Sequence, residues 1–248
     1  MTTHDWQDGL QVPASVRTGL ERFCTQIQDG LGDALVSIVL YGGLARGDYA
    51  PSTSDVNVMI ALREVGVELL DRAAPAVRKA ARACRVAVLV LTEEDLRRST
   101  DVFPIKFLDM QRHHRVLFGK DVLSDLPIAH DHLRLRCEQE LKNLMIRLRR
   151  LYLERGNTPK GIERTLVAAV SALHRDLAVL AELKTGQAPD AGRDLVAVAE
   201  QLGLNVEPIR SVQALRRGDQ KPDVGELKRI YDGFMQTVQQ AAHIADVL

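Results

Sequence analysis

The sequence predicts an α+β chain in two parts: strands and helices in alternation over residues 14–125, then helices alone from about residue 130 to residue 248. Three observations predict it. Short apolar runs rich in β-branched residues occur at 34–41, 54–62 and 84–91, and each is too short for an ordinary helix. Helical periodicity fills the gaps between them. Beyond residue 130 only helical periodicity and Gly/Pro breakers remain. The expected domains are residues 1–125 and 126–248, and 248 residues are ample for a core in each.

In the first part, "ASVRTGLERFCTQIQDG" sets Val16, Leu20, Phe23 and Ile27 at helical spacing, with Gly30 and Gly32 as stops. "ALVSIVLY" (34–41) reads as a buried strand. "SDVNVMIAL" (54–62) alternates at its start, with Val56, Val58 and Ile60 on one face and Asp55 and Asn57 on the other. "GVELLDRAAPAVRKAARA" (66–83) reads as a helix with Pro75 as a flaw or kink. "CRVAVLVL" (84–91) is a third strand, and "TEEDLRRS" (92–99) opens a helix with Thr92 and Asp95 in capping-box positions. "VFPIKFLDM" (102–110) is expected as a fourth, edge strand, because Pro104 suits an edge. "HHRVLFGKDVL" (113–123) is expected as a short helix stopped by Gly119.

The second part opens on the strongest helical pattern in the chain, 131–155, where Leu133, Cys137, Leu141, Leu144, Met145, Leu148, Leu151 and Tyr152 form one stripe. Further helices are expected at about 162–184, 190–202, 208–216 and 224–247, separated by Gly156/Pro159, Gly186/Pro189, Gly203, Pro208 and Gly218/Pro222. Short connections between them point to an up-and-down bundle.

Composition narrows the function classes. Apolar residues make up 46% and charged residues 27% of the chain, the balance of a soluble globular protein. Lys+Arg and Asp+Glu are equal at 33 each, so there is no global basic field and nucleic acid is not an expected partner. No apolar stretch approaches the ~18 residues that span a bilayer. Cys24, Cys84 and Cys137 are odd in number and far apart, as reduced buried thiols are, and form neither a disulfide framework nor a CxxC metal site. "MTTHDWQDGL" has no basic or apolar leader segment, and a cytoplasmic location is expected.

The chemistry-bearing stretch is "VLYGGLARGDYAPSTSDVNVMI", Val39 to Ile60. Gly42 and Gly43 end a strand, and "LARG" can begin a helical turn whose backbone N–H groups cradle phosphate. Arg46 adds a fork-shaped cation suited to phosphate oxygens. The spacing fits neither the Rossmann fingerprint nor the Walker loop. Taken alone, the double glycine also reads as a tight strand-to-helix turn.

With the following "STSDVN", this stretch resembles the signature of the DNA polymerase β-like nucleotidyltransferases: Gly-Ser, a short gap with Ala-Arg-Gly, then Ser-Asp-x-Asp on the next strand. "LARGDY" (44–49) and "SDV" (54–56) carry the likeness, which is strong over residues 35–62 and weaker over 102–123. The resemblance implies a short mixed sheet with helices on one side, followed by a helical bundle. It implies transfer of a nucleoside monophosphate from an NTP to a hydroxyl, with two Mg²⁺ ions on three carboxylates. Carried over, it makes Asp55 catalytic and metal-binding, and Gly42, Gly43, Arg46, Ser54 and Asn57 nucleotide-binding.

The departures matter as much. Gly43 stands where the signature has serine, and Asn57 where it has the second aspartate. The third carboxylate should come from "CRVAVLVL", which holds no acid and contains Arg85. Mg²⁺ relies on carboxylates together with substrate phosphates, and loss even of outer partners costs 10–100-fold. Asp48 and Asp109 are the nearest substitutes, but both also read as surface acids.

Other candidates are weaker. The pairs in "HHR" (113–115) and "HDH" (130–132) lack a metal-ligand frame. "RLRRLYLERG" (147–156) reads as a solvated basic face, some of it paired with Glu138, Glu140 and Glu154. Trp6 falls in an N-terminal arm. The expectation is a nucleotidyltransferase-fold protein impaired or inactive in NMP transfer, kept for an NTP, another phosphate-bearing ligand, or a protein partner on the helical part. The alternative is an active Mg²⁺-dependent nucleotidyltransferase acting on a small-molecule or protein hydroxyl.

Overall fold

The computed structural model describes residues 12–47, 49, 54–156, 158–187, 194–219 and 222–248. Trp6, Asp48 and Pro189 lie outside the described residues. Two compact units divide the chain, Met1–Ile128 and Ala129–Leu248.

The first unit is built on a four-stranded mixed sheet in the order β3-β2-β1-β4. The strands are β1 (Leu35–Tyr41), β2 (Val56–Leu62), β3 (Val86–Thr92) and β4 (His114–Gly119). β1 runs antiparallel to β2 and β4, and β2 runs parallel to β3. Helices α1 (Ala14–Leu31) and α3 (Val67–Cys84) close one face. There Val16, Leu20, Phe23, Ile27, Ala73, Ala76 and Ala80 pack with Ile38, Leu40, Val58 and Ile60. The two helices approach closely: a methyl group on Gly19 would lie 2.6 Å from Cys84 Sγ. Pro75 sits inside α3 without ending it.

The opposite face is covered as well. Leu96 of α4 (Glu93–Arg98), Phe107 and Met110 of α5 (Pro104–Arg112), and Leu123 and Leu126 pack with Val36, Val39, Met59 and Ala61. Helices therefore lie on both faces of the sheet, where the family resemblance implied one. The capping box opening α4 forms as expected, with Asp95 N–H donating to Thr92 Oγ1 at 3.0 Å and Thr92 N–H to Asp95 Oδ2 at 2.9 Å.

Two expected elements exchange places. Residues 104–112 are helix, with Pro104 at the first position, where its missing N–H has no helical partner to lose. Residues 114–119 are the strand, the edge partner of β1. Ser37 Oγ donates to Phe118 O at 3.1 Å across this pairing. Gly119 ends the strand at φ 82°, and a Cβ there would lie 2.1 Å from Val36 O. It is a strand terminus pressed on the neighbouring backbone, where the sequence reading made it a helix stop.

The second unit is entirely helical among its described residues: α6 (His130–Arg155), α7 (Pro159–Thr185), α8 (Leu195–Leu202), α9 (Glu207–Arg217) and α10 (Val224–Val247). α6, α7 and α10 pack on one another, and α8 and α9 pack on α7. The expected stripe of α6 buries Leu133, Cys137, Leu141, Leu144 and Leu148. Tyr231 of α10 is buried, its hydroxyl donates to Leu148 O at 2.7 Å, and its ring centroid lies 5.0 Å from that of Tyr152.

Candidate functional site at one end of the sheet

Strand direction decides which residues meet. Because β1 is antiparallel to its neighbours, its C-terminal end lies beside the N-terminal ends of β2 and β4. The last row across the sheet is Ala87–Asn57–Tyr41–His114. Just past this row lie the glycine turn after β1, Ser54 and Asp55 before β2, and Arg85 before β3.

The glycine turn opens a one-turn helix, α2 (Gly43–Arg46). Gly42 is its N-cap at φ 75°, ψ −149°, and Arg46 N–H returns to Gly42 O at 3.0 Å. The Asn57 amide lies against this turn, since a methyl group on Gly42 would sit 2.8 Å from Asn57 Nδ2. Asn57 therefore faces the glycine turn. Gly43 and Ser54 are half-buried at the same end. Tyr41, below the turn, has its phenol pKa raised by burial.

Both charged candidates are engaged with residues from elsewhere in the chain. Arg46 Nη1 donates to Asp109 of α5, 3.0 Å to Oδ1 and 2.7 Å to Oδ2. Asp109, read from sequence as a surface acid or a substitute carboxylate, is thus the anchor of Arg46. Asp55 accepts from Arg85 on one oxygen, with Nε and Nη2 donating to Oδ1 at 3.1 and 3.0 Å. The two side chains are 55% and 49% exposed. Sequence reasoning named Arg85 only as a charge of the wrong sign. The signal for its partner was the equal-length parallel pairing of β2 and β3, which aligns Val56 with Val86 and so sets 55 beside 85.

The described residues do not fit a pair of Mg²⁺ ions. Asp55 is already paired with a guanidinium, Asn57 is neutral, and Ala87 stands beside Asn57 where a third donor on β3 would converge. Among the described residues no group of three or more His, Cys, Asp or Glu side chains could hold a metal ion. His114 contacts Gln111 O and Asp121 Oδ2, each at 3.1 Å, while His113 Nδ1 lies 3.4 Å from Asp109 Oδ1. On α6, Arg150 pairs with Glu154 at 3.6 Å, whereas Glu138 and Glu140 serve Arg134, Lys142 and Arg136 from the preceding turns. No helix among the described residues is long and apolar enough to cross a membrane.

No family model and no curated protein matches this sequence. Among solved structures the chain is similar to spectinomycin adenyltransferase AAD(9) from Enterococcus faecialis, solved with ATP and spectinomycin. The TM-score is 0.52 at 9% identity, over 93% of this chain and 99% of that one. Identity so low speaks to architecture alone. An α+β unit with a mixed sheet, a glycine turn after its first strand, and a following helical unit: the chain has the nucleotidyltransferase fold.

Proposed function

We propose that this protein is a nucleotidyltransferase-fold protein impaired in nucleotide transfer, retained to hold a nucleotide or another phosphate-bearing anion at the Gly42–Gly43 turn. The observation that carries the reading is the Asp55–Arg85 ion pair beside Asn57 and Ala87. One carboxylate out of three is left, and it faces a cation of the protein's own. What remains suits an anion: the glycine turn, the Asn57 amide, and two arginines at one sheet end. Within this reading Gly42, Gly43, Ser54 and Asn57 line the phosphate chain, and Arg46 flanks it, oriented by Asp109.

A second reading, an active transferase moving an NMP to a hydroxyl, is favoured by one observation. The likeness to an adenyltransferase covers 93% of this chain, so it extends into the helical unit. Transfer of labelled NMP from ATP, GTP, CTP and UTP to a panel of small-molecule and protein hydroxyls, spectinomycin among them, separates the two. The expected result is saturable nucleotide binding with no transfer above background. Turnover that disappears in Asp55→Ala would overturn the proposal.

A further inference from the structure

Arg85 holds an uncommon backbone position. It is the C-cap of α3 at φ 56°, ψ 36°, and the one non-glycine residue with positive φ among the described residues. Glycine or asparagine is the usual occupant of such a cap, because a Cβ is disfavoured there. The backbone is fixed on both sides: Arg85 N–H returns to Ala80 O and Ala81 O, and its carbonyl accepts from Val56 N–H at 3.0 Å. This clamp delivers the guanidinium to Asp55, just before the first paired row of β2 and β3, Val56 with Val86. The resulting ion pair is half-exposed, and pairs of that kind add little to stability. Its use lies in placing a guanidinium at this end of the sheet.

We infer that Arg85 takes the charge-neutralising part of a divalent cation, so that this end of the sheet binds a polyphosphate chain in its metal-free form. The inference rests on the proposed anion-binding reading and adds to it the ionic form of the ligand. A guanidinium donates in a planar fork to phosphate oxygens, and here it is tethered by the strand register rather than recruited from solution. Asp55 then orients the fork instead of ligating a metal. Arg46, at the end of α2 and held by both Asp109 oxygens, supplies the second guanidinium. Mg²⁺ in solution wraps the phosphates and cancels the charge that both arginines recognise. It is therefore a competitor for this ligand.

The test is calorimetric titration of the full chain with ATP and, separately, with inorganic pyrophosphate, each in EDTA and in excess Mg²⁺. Binding in EDTA is expected to be at least as tight as in Mg²⁺. Arg85→Gly, which suits the left-handed cap and so keeps the fold, is expected to weaken it roughly ten- to a hundredfold, the scale of a lost charged hydrogen bond. A thermal melt of the variant checks that the fold is intact. Pyrophosphate equal to ATP would identify the phosphate chain alone as the ligand, and tighter ATP would add the nucleoside. Either result supports the inference. Binding that requires Mg²⁺, or that Arg85→Gly leaves unchanged, overturns it while nucleotide binding stands. No binding under any condition overturns the proposed function as well.

Discussion

Gly42 occupies φ 75°, ψ −149°, a region open almost only to glycine. In Gly42→Ala the new methyl would also meet Asn57 Nδ2 at 2.8 Å. The variant is expected to lose about 1–3 kcal/mol of stability, seen as a lower urea midpoint at unchanged m value. An unchanged midpoint would show that the turn relaxes around Cβ. At this scale the sequence is informative about residues that share a local window. Asp55, just before β2, and Asn57, within it, are two apart, so a common face is legible from the spacing alone. The partners of the two charged candidates are not. Arg85 reaches Asp55 through a parallel register, and Asp109 reaches Arg46 from a helix 63 positions away in sequence. No local pattern contains either contact.

At the scale of elements, the α6–α7 contact buries a carboxyl. Asp176 of α7 is 7% exposed, and burial, reinforced by Glu140 of α6, pushes its pKa up to about 7. Arg175, Arg147 and Arg136 pull the other way without reversing it. The sign follows from linkage. The folded state holds a proton that the unfolded chain releases near the ordinary Asp pKa of ~4, so stability falls as pH rises from about 4 to about 7 and levels off above. The urea midpoint of the wild type is expected to drop between roughly pH 4 and roughly pH 7, and that of Asp176→Asn to lack this component of the drop. Equal slopes in the two proteins would remove Asp176 from the account. Most elements were readable because each carries its own period or cap, the Thr92–Asp95 box most clearly. The exchange of strand and helix over 102–123 has a physical source. Proline fits an edge strand and a helix start equally well, and "HRVLFG" is too short for its period to decide. Tertiary pairing with β1 settled both.

At the scale of the molecule, each unit has its own core. Leu141, Leu144, Leu166, Leu173, Leu177, Phe234 and Val238 are buried within the helical unit. Residues 129–248 produced alone are expected to retain helical circular dichroism and to unfold in one cooperative transition. A broad, sloping melt would mean that the helices depend on the first unit. The sheet of that first unit cannot be completed in the order it is synthesised. β1 sits second from the edge, between β2 and β4, and Tyr41 pairs with His114 only after α1 to α5 have all been made. Until the ribosome has released β4, one side of β1 shows bare amides and carbonyls to every other nascent chain nearby, the kind of edge that invites mispairing. Slow elongation between codons 42 and 119 would lengthen that exposure and should lower the yield of soluble protein, with no change in the sequence itself.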